Sequence, residues 1–317
     1  MKKVVAVACS GGLDSTALLH GVAHWAPPLG ISVLALHVHH GLLPEADQWL
    51  QQVQRQARRW GAGFACERLR GQPARGDSIE AWARKERYAA LTRLAHAAGC
   101  GLVLLAQHRR DQAETFLIQA LRGGGAAGLA AMPMRFVREG VTFARPWLGV
   151  GRQAIEAYQR RHRLRFSVDP SNADERFARA RLRSLWPALG GAFADAETTL
   201  ARAAQRAADD AALIAEVAAA DLQQLGASGR PLPVGAWLQL SAARRAAVLR
   251  LWLGTVLAAP APETLVRRLC DELPRASHAR WPAGECDLSL WRGWLATAPA
   301  AARRAPPNAS GPRRAAH

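Results

Sequence analysis

The stretch Val4-Val-Ala-Val-Ala-Cys9-Ser-Gly-Gly-Leu-Asp-Ser15 decides how the rest of the chain is read. Its first half is apolar and partly β-branched, and residues Asp14–Trp25 that follow have helical spacing, so the segment reads as strand, glycine turn and helix. Gly11 and Gly12 let the backbone bend and come close to a ligand. The N–H groups of such a turn, the hydroxyls of Ser10 and Ser15 and the dipole of the helix all favour an anion there. Asp14 would repel a phosphate unless a cation stood between them, which points to Mg2+ bridging Asp14 and the phosphates. The Gly-Lys-Ser/Thr ending of a Walker A loop is missing. The plain alternative is an ordinary turn between strand and helix.

Outward from this segment, Ile31–Val38, Phe64–Leu69 and Leu102–Ala106 read as further strands. Between them lie an amphipathic helix over Glu45–Trp60 and a helix capped by Asp77 with Glu80 and running to about Ala98; another starts after His108 and reaches Leu121. Apolar strands alternating with helices predict an α/β fold with a parallel sheet covered on both faces. The pattern changes after Pro146. Gly151–His162 looks helical and basic, Val168-Asp-Pro-Ser-Asn172 is turn chemistry, and a short helix around Arg176–Leu185 is expected to end before Pro187. One long Ala-rich helix is expected over Ala192–Leu225, closed by Gly226. The expected organisation is a catalytic domain over 1–187, a helical connector over 188–226, a small α+β domain over 227–299 that contacts the partner, and an Arg-rich disordered tail over 300–317.

Half of the 317 residues are apolar, enough for a real core, and the length suits about two domains. The formal net charge of +17 calls for a polyanionic partner, of which a nucleic acid is the commonest. Five scattered cysteines with no CxxC exclude a zinc ribbon or a local iron–sulfur motif and fit free thiols in a reducing cytosol. The apolar run at the N-terminus is too short for a signal-peptide core, and no apolar stretch approaches the roughly 20 residues of a membrane span. The expected location is therefore the cytoplasm, and no obligatory protein partner is inferred.

Three further blocks carry chemistry. His37-Val-His-His-Gly41 closes the second strand, but His37 and His39 alternate faces and no carboxylate cluster accompanies them, so a metal site is disfavoured. In Ala106-Gln-His-Arg-Arg-Asp-Gln-Ala-Glu-Thr115, Asp111 and Glu114 share a face in the first turn of a helix at the carboxyl edge of the sheet. There they either offset the helix dipole or grip an ammonium group. In Glu80–Tyr88, Arg84 and Arg87 either neutralise phosphate or form a solvated face paired with Glu80 and Glu86.

SGGxDS at the end of a first strand resembles the signature of the PP-loop, or N-type, ATP pyrophosphatases, which cleave ATP to AMP and pyrophosphate while adenylating a substrate. The blocks in their order resemble the tRNA(Ile)-lysidine synthase family, which carries HV-x-HGL, ARxxRY, AQHxxDQxET and RGxGxxGL after that loop. The last reads Arg122-Gly-Gly-Gly-Ala-Ala-Gly-Leu129 here, and Arg145-Pro146, Asp169–Asn172, Arg181-Leu-Arg183 and Trp186-Pro187 follow. The resemblance is close over about residues 1–190 and weak beyond, through Trp291-Arg-Gly-Trp294. It departs at Ala180, where the family carries Asn after the arginine. The chain also looks like a short form without the second C-terminal domain of longer members.

The resemblance implies ATP and Mg2+, free L-lysine, and an isoleucine tRNA with a CAU anticodon. ATP adenylates the C2 carbonyl oxygen of the wobble cytidine with loss of pyrophosphate, and the lysine amine then attacks C2 and expels AMP to give lysidine, so that the tRNA reads AUA. It implies ATP binding by Ser10, Gly11, Gly12, Leu13, Asp14 and Ser15 and Mg2+ held through Asp14 and the phosphates. Catalysis falls to Asp14, Arg84, Arg87, Asp111 and Glu114, with Asp111 and Glu114 receiving lysine. Cytidine thiolation is disfavoured by the lack of CxxC. GMP- or NAD-synthetase-like ligation leaves the basicity unexplained, and a catalytically dead RNA-binding protein would not need Asp14, Asp111 and Glu114 intact.

Overall fold

The computed structural model describes residues 3–39, 41, 45–71, 79–168, 176 and 178–300. His40, the expected cap at Asp77, the turn at 169–172 and residues 301–317 of the expected tail lie outside the described residues. The chain divides into two compact units, Met1–Asp209 and Asp210–His317.

In the first unit, β1 (Lys3–Ala8), α1 (Leu13–Trp25), β2 (Ile31–His39), α2 (Ala46–Arg59), β3 (Gly63–Arg68), α3 (Ile79–Ala97), β4 (Leu102–Leu104) and α4 (Arg109–Leu121) alternate. The short α5 (Ala126–Leu129), the strands β5 (Arg135–Arg138) and β6 (Val141–Ala144), and the helices α6 (Arg152–Arg161), α7 (Ala178–Ala192) and α8 (Ala196–Gln224) follow. The sheet order is β3-β2-β1-β4-β6-β5, parallel except for β5, which pairs antiparallel with β6. Its two faces explain the unbroken apolar strands. Val5 and Val7 pack with Leu18 and Leu19 of α1 and Val53 and Ala57 of α2. Ala6 points the other way, into the cluster of Tyr88 and Leu91 of α3 with Val103 and Phe143. Strand order reverses at β1, so the loops after β1 and β4 open side by side at the carboxyl edge, where open α/β sheets take their ligands.

Two elements differ from the sequence reading. The β5–β6 hairpin was not expected. It turns on Glu139 and Gly140, with φ of 48° and 78°, the pair of positive angles that a tight two-residue hairpin requires. Helix α7 runs through Pro187 instead of stopping before it. A proline costs the helix one hydrogen bond and a carbonyl clash, and burial of Ala180, Leu182 and Trp186 of α7 offsets that local penalty.

The division between the units falls inside α8. The second unit continues with β7 (Leu232–Pro233), α9 (Val234–Trp237), α10 (Ala242–Val256), α11 (Glu263–Glu272), β8 (Ala279–Ala283), β9 (Cys286–Trp291) and β10 (Trp294–Pro299). Its antiparallel sheet has the order β7-β10-β9-β8 and covers a core holding Ala218, Leu222, Trp237, Leu249, Trp252, Leu269, Trp281, Leu288 and Leu295. Three of the tryptophans are fully buried, and each indole N–H has an acceptor: Trp237 on the Arg245 carbonyl, Trp252 on the Arg230 carbonyl and Trp281 on Glu272. Asp221, also buried, is held by Arg244. Trp252→Ala is expected to destabilise this unit by about 3–5 kcal/mol, through the cavity and the orphaned carbonyl. Urea unfolding followed by tryptophan fluorescence reads this loss, and an unshifted midpoint would contradict the packing described.

Candidate active site

The loop after β1 is built by its own serines. The Ser10 N–H donates to Ser15 Oγ at 3.2 Å, the two hydroxyl oxygens lie 3.1 Å apart, and the Gly12 N–H donates to Ser10 Oγ at 3.3 Å. Helix α1 then starts at Gly12 with no side chain capping it, which keeps its first-turn N–H groups available to an anion. Gly11 has φ of +92°, a conformation that L side chains rarely adopt, and its carbonyl accepts the Ser167 N–H at 2.8 Å. Gly11→Ala is expected to cost roughly 1–3 kcal/mol of stability and to weaken nucleotide binding, measurable by urea unfolding with and without ATP. The buried His37 holds the Cys9 carbonyl through Nδ1 at 2.8 Å and so fixes the loop from below. Burial is the main reason its imidazole is pushed below its usual range, although the Cys9 bond opposes that shift.

His108 and the carboxylates face this loop from the adjoining β4–α4 connection. His108 is the N-cap of α4, is 2% exposed, and lies with Nε2 3.7 Å from Asp14 Oδ1 and 3.5 Å from Asp111 Oδ2. The His108 N–H donates to Asp111 Oδ2 at 3.1 Å. Burial by itself would lower the His108 pKa, but Asp14 and Asp111 outweigh it and raise it. Burial would likewise raise Asp14, yet His108, backed by Arg152 and Arg183, holds that carboxyl below the usual carboxylate range. Asp14, His108 and Asp111 thus form one electrostatically linked group. It is not tightly hydrogen-bonded, since Asp14 Oδ1 and His108 Nδ1 are buried with no hydrogen-bond partner.

Glu114 lies one turn further along α4, 1% exposed. Arg183 of α7 donates through Nε to both its oxygens, at 3.2 and 3.3 Å, and Arg179 Nε lies 3.5 Å away. Arg183 Nη2 is also 3.6 Å from Asp111 Oδ1, so one guanidinium spans both carboxylates. Burial is the first cause of a raised Glu114 pKa, and Arg183 only partly offsets it. Arg179 donates to Thr115 Oγ1 at 2.7 Å, and Ala180 beside it is buried.

The site residues expected from sequence separate into three groups. Ser10, Gly11, Gly12, Asp14 and Ser15 form one loop, and Asp111 and Glu114 stand next to it through His108 and Arg183. Leu13 belongs to the loop by its backbone, while its side chain packs on the cluster of Ala17, Ile155 and Leu164. Arg84 and Arg87 stand exposed on α3, with the Arg84 guanidinium 5.2 Å from the centroid of the Tyr88 ring. The arginines whose charges act on Asp14 are instead Arg152 and Arg183. Sequence reasoning assigned no role to His108, Arg152, Arg179 or Arg183. His108 and Arg183 lay inside the quoted blocks, and a pair of carboxylates on a buried helix face calls for a guanidinium partner. Arg152 carries no local signal.

His39 pairs with the exposed Asp47 at 3.4 Å beside Arg68, and no group of three or more His, Cys, Asp and Glu suited to a metal occurs among the described residues. The five cysteines are free.

A serine-lined glycine loop at the switch point of a parallel sheet, opposed by buried carboxylates, defines a nucleotide-handling α/β protein, and the PP-loop domain family matches residues 1–189. A U34-tRNA thiolase from Methanococcus maripaludis shares this fold, with a TM-score of 0.55 at 13% identity over 65% of this chain and 72% of the other. The tRNA(Ile)-lysidine synthase of Ralstonia nicotianae is 49% identical over 78% of this chain and 54% of its own length. That of Bordetella parapertussis is 41% identical over 87% of this chain and 84% of its own length. The chain belongs to the tRNA(Ile)-lysidine synthase family, a family of ATP-using, tRNA-modifying ligases. It spans about half the length of the Ralstonia relative. No helix among the described residues is long and apolar enough to cross a membrane.

Proposed function

We propose that the chain ligates free lysine to C2 of the wobble cytidine of an isoleucine tRNA with a CAU anticodon, using ATP, in the cytoplasm. The observation that carries the chemistry is the buried Asp14 Oδ1, which accepts no hydrogen bond, beside an uncapped helix N-terminus. A hard anionic oxygen with no hydrogen bond fits Mg2+, whose remaining ligands would be phosphate oxygens and water, since no group of three or more His, Cys, Asp and Glu suited to a metal occurs among the described residues. When bound, the ion would neutralise the pyrophosphate as its charge develops.

The loop N–H groups and the Ser10 and Ser15 hydroxyls hold the polyphosphate. The wobble base, turned out of the anticodon stack, presents its C2 oxygen to the α-phosphorus. That oxygen forms a bond to phosphorus as the bond to the β-phosphate oxygen breaks, and pyrophosphate leaves. The neutral amine of lysine then attacks C2, the C2–O bond breaks, AMP departs, and a carboxylate takes the amine proton. Lysine carries ammonium and carboxylate groups, and the Asp111, Glu114, Arg179 and Arg183 cluster offers both complements. Arg183, about a third exposed, is the partner that a substrate ammonium would displace. His108 holds Asp14 and Asp111 in register. Arg84 and Arg87 are proposed to meet phosphate charge from the tRNA side.

The fold is shared with a tRNA thiolase, but no CxxC and no cysteine-containing metal group among the described residues favours thiolation here. Pyrophosphate release from ATP is expected to require the CAU-anticodon tRNA. Equal release without tRNA, or none with it, would overturn the assignment.

A further inference from the structure

We infer that the outer face of the antiparallel sheet in the second unit is a stacking platform for an unpaired base of RNA. Hairpin β9–β10 turns on Arg292-Gly293, both with positive φ, and places Trp291 directly opposite Trp294. The inward positions of the same strands, Leu288, Leu290 and Leu295, fill the core, so the tryptophans point away from it. They are 59% and 51% exposed, whereas three other tryptophans of this unit are fully buried.

The row has a neighbour on each side. His278 lies with its ring centroid 4.7 Å from that of Trp291, and Pro233 pairs with Trp294 from β7. The next row on this face is Arg280, Ser289 and Ala296. The two rows and the turn therefore carry His278, Arg280 and Arg292 and no carboxylate.

Two adjacent exposed indoles are costly to leave in water, and their flat faces suit any base. Cationic side chains at the margin suit the phosphates between bases, as on sheet surfaces that bind single-stranded RNA. The chain's charge of +17 agrees with a polyanion and disfavours a second copy of itself as the occupant. The inference rests on the proposed function for naming the RNA as that tRNA; the stacking itself rests on the sheet.

The test uses the full chain, the CAU-anticodon isoleucine tRNA and filter binding at several salt concentrations. Trp291→Ala and Trp294→Ala are each expected to weaken binding about tenfold without changing the slope of log Kd against log salt. Trp291→Phe should restore most of the affinity, and the loss should appear in KM for tRNA. Arg280→Ala should instead reduce the slope by about one. Native affinity in both alanine variants overturns the stacking platform and leaves the ligase reading standing. So does a wild-type dimer that Trp291→Ala dissociates while RNA affinity stays unchanged. Tryptophan-dependent RNA binding by a chain that makes no lysidine supports the platform and overturns the ligase reading.

Discussion

Asp14→Asn is expected to reduce tRNA-dependent pyrophosphate release by about 100- to 1,000-fold, the usual loss when one group that stabilises developing charge is removed. Asparagine has nearly the same shape, so the loop held by Ser10, Ser15 and Gly12 should persist. What is lost is the charge on a buried oxygen that accepts no hydrogen bond and faces His108. Part of the deficit should be recovered at high Mg2+, because the neutral amide is a weaker ligand than the carboxylate. Pyrophosphate release measured across a Mg2+ series, with circular dichroism as the check on folding, reads both effects. A well-folded variant turning over at the native rate would show that Asp14 does not bridge to the phosphates.

The second large effect separates lysine handling from adenylation. In Glu114→Gln the uncharged amide replaces a carboxylate that is 1% exposed and holds Arg183 at 3.2 Å. Losing one charge of a desolvated pair costs roughly 2–5 kcal/mol, so the lysine requirement should rise by about 30-fold or more. ATP should bind nearly as before, and adenylated tRNA should accumulate when lysine is limiting. The competing outcome has a physical route, because the charge of Arg183 also acts on Asp14. If Glu114 chiefly positions Arg183 for the phosphates, adenylation itself fails and no intermediate forms at any lysine concentration. Rapid quench of radiolabelled ATP with tRNA, with and without lysine, distinguishes the two.

The parallel sheet was legible because its strands are apolar on both sides, a pattern that only a doubly covered sheet explains. The loop was legible because Ser10–Ser15 is contiguous. The β5–β6 hairpin was missed although Arg135-Phe-Val-Arg and Val141-Thr-Phe-Ala flank Glu139-Gly140, a two-residue turn between half-alternating segments. Continuation of α7 past Pro187 depends on tertiary burial of Trp186, which local propensity does not contain. The arginines behave alike in this respect. Arg84 and Arg87 were singled out because they sit on a recognisable helix, whereas the charges of Arg152 and Arg183 act on Asp14 from helices distant in sequence. Spacing along one helix reports a shared face, but it says nothing about which later helix supplies the counter-charge.

The central claim is the ligation itself, and nucleoside mass analysis of the tRNA product tests it most directly. After incubation of the chain with ATP, Mg2+, isotopically labelled lysine and the CAU-anticodon isoleucine tRNA, the digest should contain one cytidine derivative. It should carry the label and a mass increase of lysine less water, with AMP and pyrophosphate formed in equal amounts. Unmodified cytidine at that position, or a sulfur-containing cytidine in its place, would contradict the account.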